Sequence, residues 1–150
     1  MKKILLVDDE PHILELLSLA LEDKGYRILA ANNGKEAIAQ VKKEKPLLVL
    51  LDIRLSDMDG VKVLRQIKEI NKTISIIMMT AYGAMDTVVE AMKLGAYDYI
   101  TKPIDLEKLK SLIKGALEAK VLAGKVAPRE NLEEKYKLEN IVGKNPKMFE

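Results

Sequence analysis

Four short stretches of this sequence carry groups able to do chemistry together: Asp8-Asp9-Glu10, Asp52, Thr80, and Lys102 followed by Pro103. Asp57 and Asp59 add two further carboxylates close behind Asp52. Carboxylates crowded into one small cleft raise one another's pKa unless a cation neutralises them. The chain has no cysteine and a single histidine, His12, so a site built from Asp8, Asp9 and Asp52 offers only oxygen. An all-oxygen site suits a hard divalent ion, Mg²⁺ above all. Lys102 contributes a point positive charge and Thr80 a hydroxyl donor. A pocket of that kind is suited to a phosphoryl group. The ion and Lys102 offset the charge on its equatorial oxygens while a carboxylate attacks in line.

These residues meet only if the fold gathers them. Apolar runs recur at 4–7, 26–31, 47–51, 74–79 and 96–100. Between them, apolar residues fall three and four apart, as in Ile13, Leu16, Leu17, Ala20 and Leu21, or Val61, Val63, Leu64 and Ile67, the spacing of a helix with one buried face. Pro11 after Asp9-Glu10 is a helix-start signal, Asn33-Gly34 opens a second helix and Asp57 to Gly60 a third. Strand and helix thus alternate five times. Strands that are apolar throughout belong to a sheet covered on both faces, hence parallel. The expected fold is α/β: a doubly wound, flavodoxin-like (CheY-like) five-stranded sheet with helices on both faces. Its common strand order is 2-1-3-4-5, with ligands at the carboxyl ends of strands one and three. In that order Asp8, Asp9 and Asp52 share one cleft, and Thr80 and Lys102 lie on the same side of the sheet.

The residues Asp8-Asp9, the run from Leu51 through Asp52-Ile-Arg-Leu-Ser-Asp-Met-Asp to Gly60, Thr80-Ala81 and Lys102-Pro103 resemble the signature of response-regulator receiver domains. The resemblance covers residues 1–120 and implies the same strand order. It also implies a role for each residue. Asp52 is the acceptor of a phosphoryl group from a partner histidine kinase. Asp9 ligates Mg²⁺ directly, Asp8 acts mainly through bound water, and the backbone carbonyl of Arg54 completes the protein ligands. Thr80 and Lys102 each hold a phosphoryl oxygen. Tyr99 matches an aromatic that turns inward when Thr80 moves, and Lys102-Pro103 matches a peptide that is typically cis. The family often has proline where Ser56 stands, which leaves the loop after Asp52 less constrained here. Such a domain modifies itself and slowly loses the phosphate; it is not an enzyme turning over a small substrate.

Two rival functions fit the sequence less well. A flavin phosphate site needs a Ser/Thr/Gly-rich loop after strand one, where Asp-Asp-Glu would repel the anion. A haloacid dehalogenase-type hydrolase needs a second aspartate two residues beyond its nucleophile, where Arg54 stands. Ordinary structural roles account for other residues. His12, on the first turn of a helix, is expected in solvent, Met78-Met79 in the core, and Asp57 and Asp59 as loop and cap residues.

Composition narrows the class further. With 25 basic and 23 acidic residues the net charge is +2, and lysines are scattered along the chain, so direct nucleic-acid binding is not expected. The longest apolar run, Leu47–Leu51, is far too short for a membrane span, and the absence of cysteine makes a cytoplasmic protein the default. After the receiver, 121–137 reads as a helical linker. The run Leu138-Glu-Asn-Ile-Val-Gly-Lys-Asn-Pro-Lys-Met148 is similar to the opening of the AAA+ ATPase module in NtrC-type, sigma-54-dependent transcriptional activators, which implies that 138–150 is the start of such a module. No Gly-x-x-x-x-Gly-Lys-Ser/Thr loop occurs in the sequence, so ATP hydrolysis by that route is not expected of this chain. The fifth helix is expected to start near Asp105, to run past Leu117, Val121 and Leu122, and to break at Gly124 and Pro128. Its extension could pair with a second copy, giving a homodimer.

Overall fold

The computed structural model describes residues 2–81 and 85–126, of which 120–126 are described as helix backbone. Five strands, β1 (Lys3–Val7), β2 (Arg27–Ala31), β3 (Leu48–Asp52), β4 (Ser75–Thr80) and β5 (Asp98–Thr101), alternate with α1 (Pro11–Glu22), α2 (Gly34–Glu44), α3 (Gly60–Ile70), α4 (Met85–Lys93) and α5 (Leu106–Val126). The strands are all parallel in the order β2-β1-β3-β4-β5. The sheet and its covering helices form one compact unit, Met1–Leu117.

The two-residue alternation of a strand sorts the apolar side chains into two cores. Leu5 and Val7 of β1, Val49 and Leu51 of β3, and Ile76 and Met78 of β4 join residues of α2, α3 and α4 on one face. Ile4 and Leu6, Leu48 and Leu50, and Ile77 and Met79 join Leu17, Leu21, Leu109 and Ile113 of α1 and α5 on the other. Burial on both faces is why β3 is apolar at every position before Asp52. Continued by one step, the second set reaches Asp8, Asp52 and Lys102. Thr80 falls on the alternate step, with Met78.

Local chemistry starts the helices where expected. Pro11 occupies the first turn of α1, Asn33 caps α2 by accepting from the Glu36 N–H at 2.8 Å, and Asp59 caps α3 by accepting from the Val61 N–H at 2.8 Å. The fifth helix differs from expectation: it passes through Gly124 to Val126. Glycine inside a helix costs about 1 kcal/mol relative to alanine, a penalty that favourable neighbours absorb, so it does not impose a stop. Pro128, the stretch 129–139 and the segment 138–150 lie outside the described residues.

Gly60 is required by a close approach. Its N–H donates to the Ile53 carbonyl at 2.7 Å, and a Cβ there would run into the Asp52 carbonyl oxygen and come within 2.7 Å of the Ile53 Cα. Those obstacles are backbone, at the end of the strand that carries Asp52. Gly60→Ala should therefore cost about 1–3 kcal/mol of stability, the usual penalty of forced overpacking. Urea unfolding will measure it, and an unchanged midpoint would mean that α3 can back away from β3 freely.

Candidate functional site

The cleft is made where neighbouring strand ends meet. Val7 pairs with Leu51, so Asp8 and Asp52 are adjacent, and the pairing of Thr80 with Thr101 puts Lys102 one residue past β5. Main-chain bonds fix these ends: the Ile53 N–H donates to the Met79 carbonyl at 3.0 Å and the Lys102 N–H to the Thr80 carbonyl at 2.8 Å. The Lys102-Pro103 peptide is cis. A cleft of about 270 Å³ results, lined by Asp9, Glu10, Asp52, Arg54, Thr80 and Lys102 among others.

Asp8 is fully buried and Asp52 is 6% exposed. Lys102 Nζ donates to Asp8 Oδ2 at 2.9 Å and to Asp52 Oδ2 at 3.0 Å. The remaining oxygens are held by the backbone: Asp8 Oδ1 accepts from the Glu10 N–H at 2.9 Å and Asp52 Oδ1 from the Arg54 N–H at 3.0 Å. Asp9 is exposed, yet one carboxylate oxygen from each of Asp8, Asp9 and Asp52 lies within 4.8 Å of the others. Burial holds the Asp52 carboxyl above its ordinary range. The Arg54 N–H and Lys102 pull it back, and the Asp8 charge adds to the rise. Burial alone would lower the Lys102 ammonium, but the two carboxylates bonded to it more than offset that and leave it raised. Three carboxylates against one ammonium leave the pocket short of positive charge, and its donor set is oxygen only. That composition fits Mg²⁺ or a similar hard divalent ion.

The other expected residues fall as follows. Thr80 is buried and lines the cleft, but its hydroxyl donates to the Ala81 carbonyl at 3.1 Å. Arg54 lines the cleft, and its main chain bridges to Asp59. Tyr99 is half-buried against the core under α2 to α4, on the face that Thr80 shares with Met78. Pro103 and His12 are exposed, and Met78 and Met79 are fully buried. The side chains of Val121 and Leu122, expected in a dimer seam, lie outside the described ones. The sequence marks out two further residues without giving their partners. Glu10 reaches within 3.7 Å of Lys102 Nζ, which its place beside two aspartates could have signalled. Asp57 was expected to serve as a loop or cap residue, and it accepts from the N–H groups of Gly34 and Lys35 at 2.7 and 2.9 Å. No sequence spacing identifies a helix so far back in the chain.

Residues 4–114 match the response regulator receiver domain family, to which this chain belongs. It is 45% identical over 114 residues to the transcriptional regulatory protein ZraR of Klebsiella oxytoca, a match covering 76% of this chain and 26% of that protein. It is also 40% identical over 119 residues to sporulation initiation phosphotransferase F of Bacillus subtilis (strain 168), covering 79% of this chain and 96% of that one. Among solved structures it resembles NtrX from Brucella abortus, with a TM-score of 0.80 and 35% identity, covering 85% of this chain and 30% of NtrX. A CheY-like receiver domain protein from Methanospirillum hungatei JF-1 aligns with a TM-score of 0.77 and 33% identity, covering 80% of this chain and 96% of that one. The chain spans about a quarter of the length of ZraR and of the regulatory protein AtoC. No helix among the described residues is long and apolar enough to cross a membrane.

The raised Asp52 carboxyl has a consequence for stability. Above its ordinary value of 3.8, the folded state holds this proton more tightly than the unfolded chain does. Stability assignable to Asp52 therefore falls as pH rises through that window. With divalent ions chelated, Asp52→Asn should unfold at higher urea than wild type near neutral pH, with the gap closing as the pH falls below the ordinary value of 3.8, where the carboxyl is protonated in both states. A variant no more stable than wild type at neutral pH would contradict this.

Proposed function

We propose that this chain is the phosphoacceptor receiver of a two-component response regulator, taking a phosphoryl group from a histidine kinase onto Asp52. The observation that carries the reading is the Lys102 ammonium bonded to both Asp8 and Asp52 at the wall of an oxygen-only cleft. In this reading Asp9, Asp8, Asp52 and the Arg54 carbonyl hold Mg²⁺. When bound, that ion offsets the charge of the transferring phosphoryl group. The Asp52 carboxylate attacks phosphorus as the bond to the donor's histidine nitrogen breaks. Lys102, already beside Asp52, exchanges a carboxylate oxygen for a phosphoryl oxygen. Thr80 gives up its bond to Ala81 to donate to another, and Tyr99, behind it on the same face, moves with it. Water admitted to the same cleft hydrolyses the acyl phosphate, so the chemistry is self-modification followed by self-dephosphorylation.

The likeness to ZraR and AtoC over only about a quarter of their length supports placing this chain as the regulatory part of a longer cytoplasmic activator. Residues 1–120 are then the receiver, 121–137 the linker and 138–150 the start of an AAA+ module of the sigma-54-dependent type. Phosphorylation would control assembly of that ATPase, with homodimers formed through the extended α5.

Intact-protein mass after incubation with acetyl phosphate and Mg²⁺ tests the acceptor. Wild type should gain one labile phosphoryl group only when Mg²⁺ is present, and Asp52→Ala should gain none. Lys102→Met should slow the gain about a hundredfold, as loss of one preorganised charge stabiliser does. No gain in wild type, or an equal gain in Asp52→Ala, would overturn the assignment. Sedimentation at high protein concentration, with and without a phosphate analogue, tests the dimer: a monomer in both conditions would remove it.

A further inference from the structure

The loop 53–59 between β3 and α3 forms one wall of the cleft, and its sequence contains no proline to fix the backbone. Its base is tied by the bond from the Gly60 N–H to the Ile53 carbonyl and by the bridge between Arg54 and Asp59. Its tip is tied elsewhere. The Asp57 carboxylate spans to the start of α2, with Oδ1 accepting from the Gly34 N–H at 2.7 Å and Oδ2 from the Lys35 N–H at 2.9 Å. Next to it the Met58 side chain lies against Gly34, where a Cβ would collide with it. Asn33 accepts from the following donor, the Glu36 N–H, so Asp57 and Asn33 divide the free donors of this helix end between them. The two N–H groups also hold the Asp57 carboxyl below its ordinary range, so it is ionised and the bonds are charge-assisted.

We infer that Asp57 is a positioning residue for the acidic site: by clamping the tip of loop 53–59 to α2, it fixes the Arg54 N–H that orients the Asp52 carboxylate. This rests on the reading of the cleft as a Mg²⁺-dependent phosphoacceptor. The chain of contacts is continuous, from Asp57 through the loop backbone to Arg54 and from the Arg54 N–H to Asp52 Oδ1 at 3.0 Å. Asp57 is absent from the cleft lining, so its effect is indirect. Loss of the clamp frees Asp52 and Arg54 to rotate apart, and a site that needs several oxygens at fixed range loses affinity.

The two caps of α2 make the test. Asp57→Ala removes the cap that belongs to the loop, while Asn33→Ala removes the cap that belongs to the helix alone. Both should lower the urea midpoint. Calorimetric titration of the 150-residue chain with Mg²⁺ should show affinity about tenfold weaker in Asp57→Ala, the low end of the cost of removing an outer-shell partner, and unchanged in Asn33→Ala. Hydrogen exchange at the Arg54 amide should quicken in the first variant and not in the second. Asp57→Glu, which keeps a carboxylate, should recover part of the affinity. Equal Mg²⁺ affinity in wild type and Asp57→Ala, or equal losses in both alanine variants, would reduce Asp57 to a helix cap and overturn the inference alone. Wild type that binds no Mg²⁺ would overturn the phosphoacceptor reading with it.

Discussion

Two carboxylates buried side by side at the end of a sheet are tolerable only if something positive stands between them, and here that is the Lys102 ammonium. Its bonds to Asp8 and Asp52 draw together the ends of β1, β3 and β5. An unpaired buried carboxylate would cost several kcal/mol or take up a proton. The single ammonium cannot balance all the nearby acids, since Asp9 lies beside the same two carboxylates and Glu10 within 3.7 Å of Lys102 Nζ. One cation therefore holds the carboxylates together and leaves the cluster with net negative charge. That residual imbalance distinguishes it from a neutral internal salt bridge.

Sheet geometry does much of the positioning at little local cost. Asp8, Asp52 and Lys102 continue the alternation of the side chains that build the core under α1 and α5, so the same apolar packing that fixes the strands also aims the charged groups. Tyr99 takes the other face, towards α2 to α4, and Thr80 falls on that face by its alternation with Met78 along β4. The two faces of the sheet thus meet at the cleft, one through Asp52 and Lys102 and the other through Thr80. The loop after β3 is different, because no sheet holds it. Gly60, the bridge from Arg54 to Asp59, and the Asp57 carboxylate on α2 supply the order that regular secondary structure would otherwise provide.

Much of this protein is legible in its sequence because the signals are local and periodic. Five apolar runs separated by helical spacings dictate a covered parallel sheet, and Pro11, Asn33 and Asp59 mark helix starts where the chain adopts them. Asp8, Asp9, Asp52, Thr80 and Lys102 stand at strand ends that any sheet ordered 2-1-3-4-5 brings to one side. Other features depend on where distant segments lie. That Lys102 bonds both buried aspartates while Asp9 stays in solvent, that the Thr80 hydroxyl turns to Ala81, and that Asp57 caps α2 instead of its own helix all follow from side-chain directions set by packing. A glycine such as Gly124 is read as a break from its own propensity, yet whether the helix continues is decided by the residues around it. The sequence by itself determined which groups are available and on which strand ends they stand, since a two-residue period needs no knowledge of neighbours. Only the tertiary structure decided how those groups divide the charge among themselves, because hydrogen bonds and burial depend on distances between residues far apart in the chain.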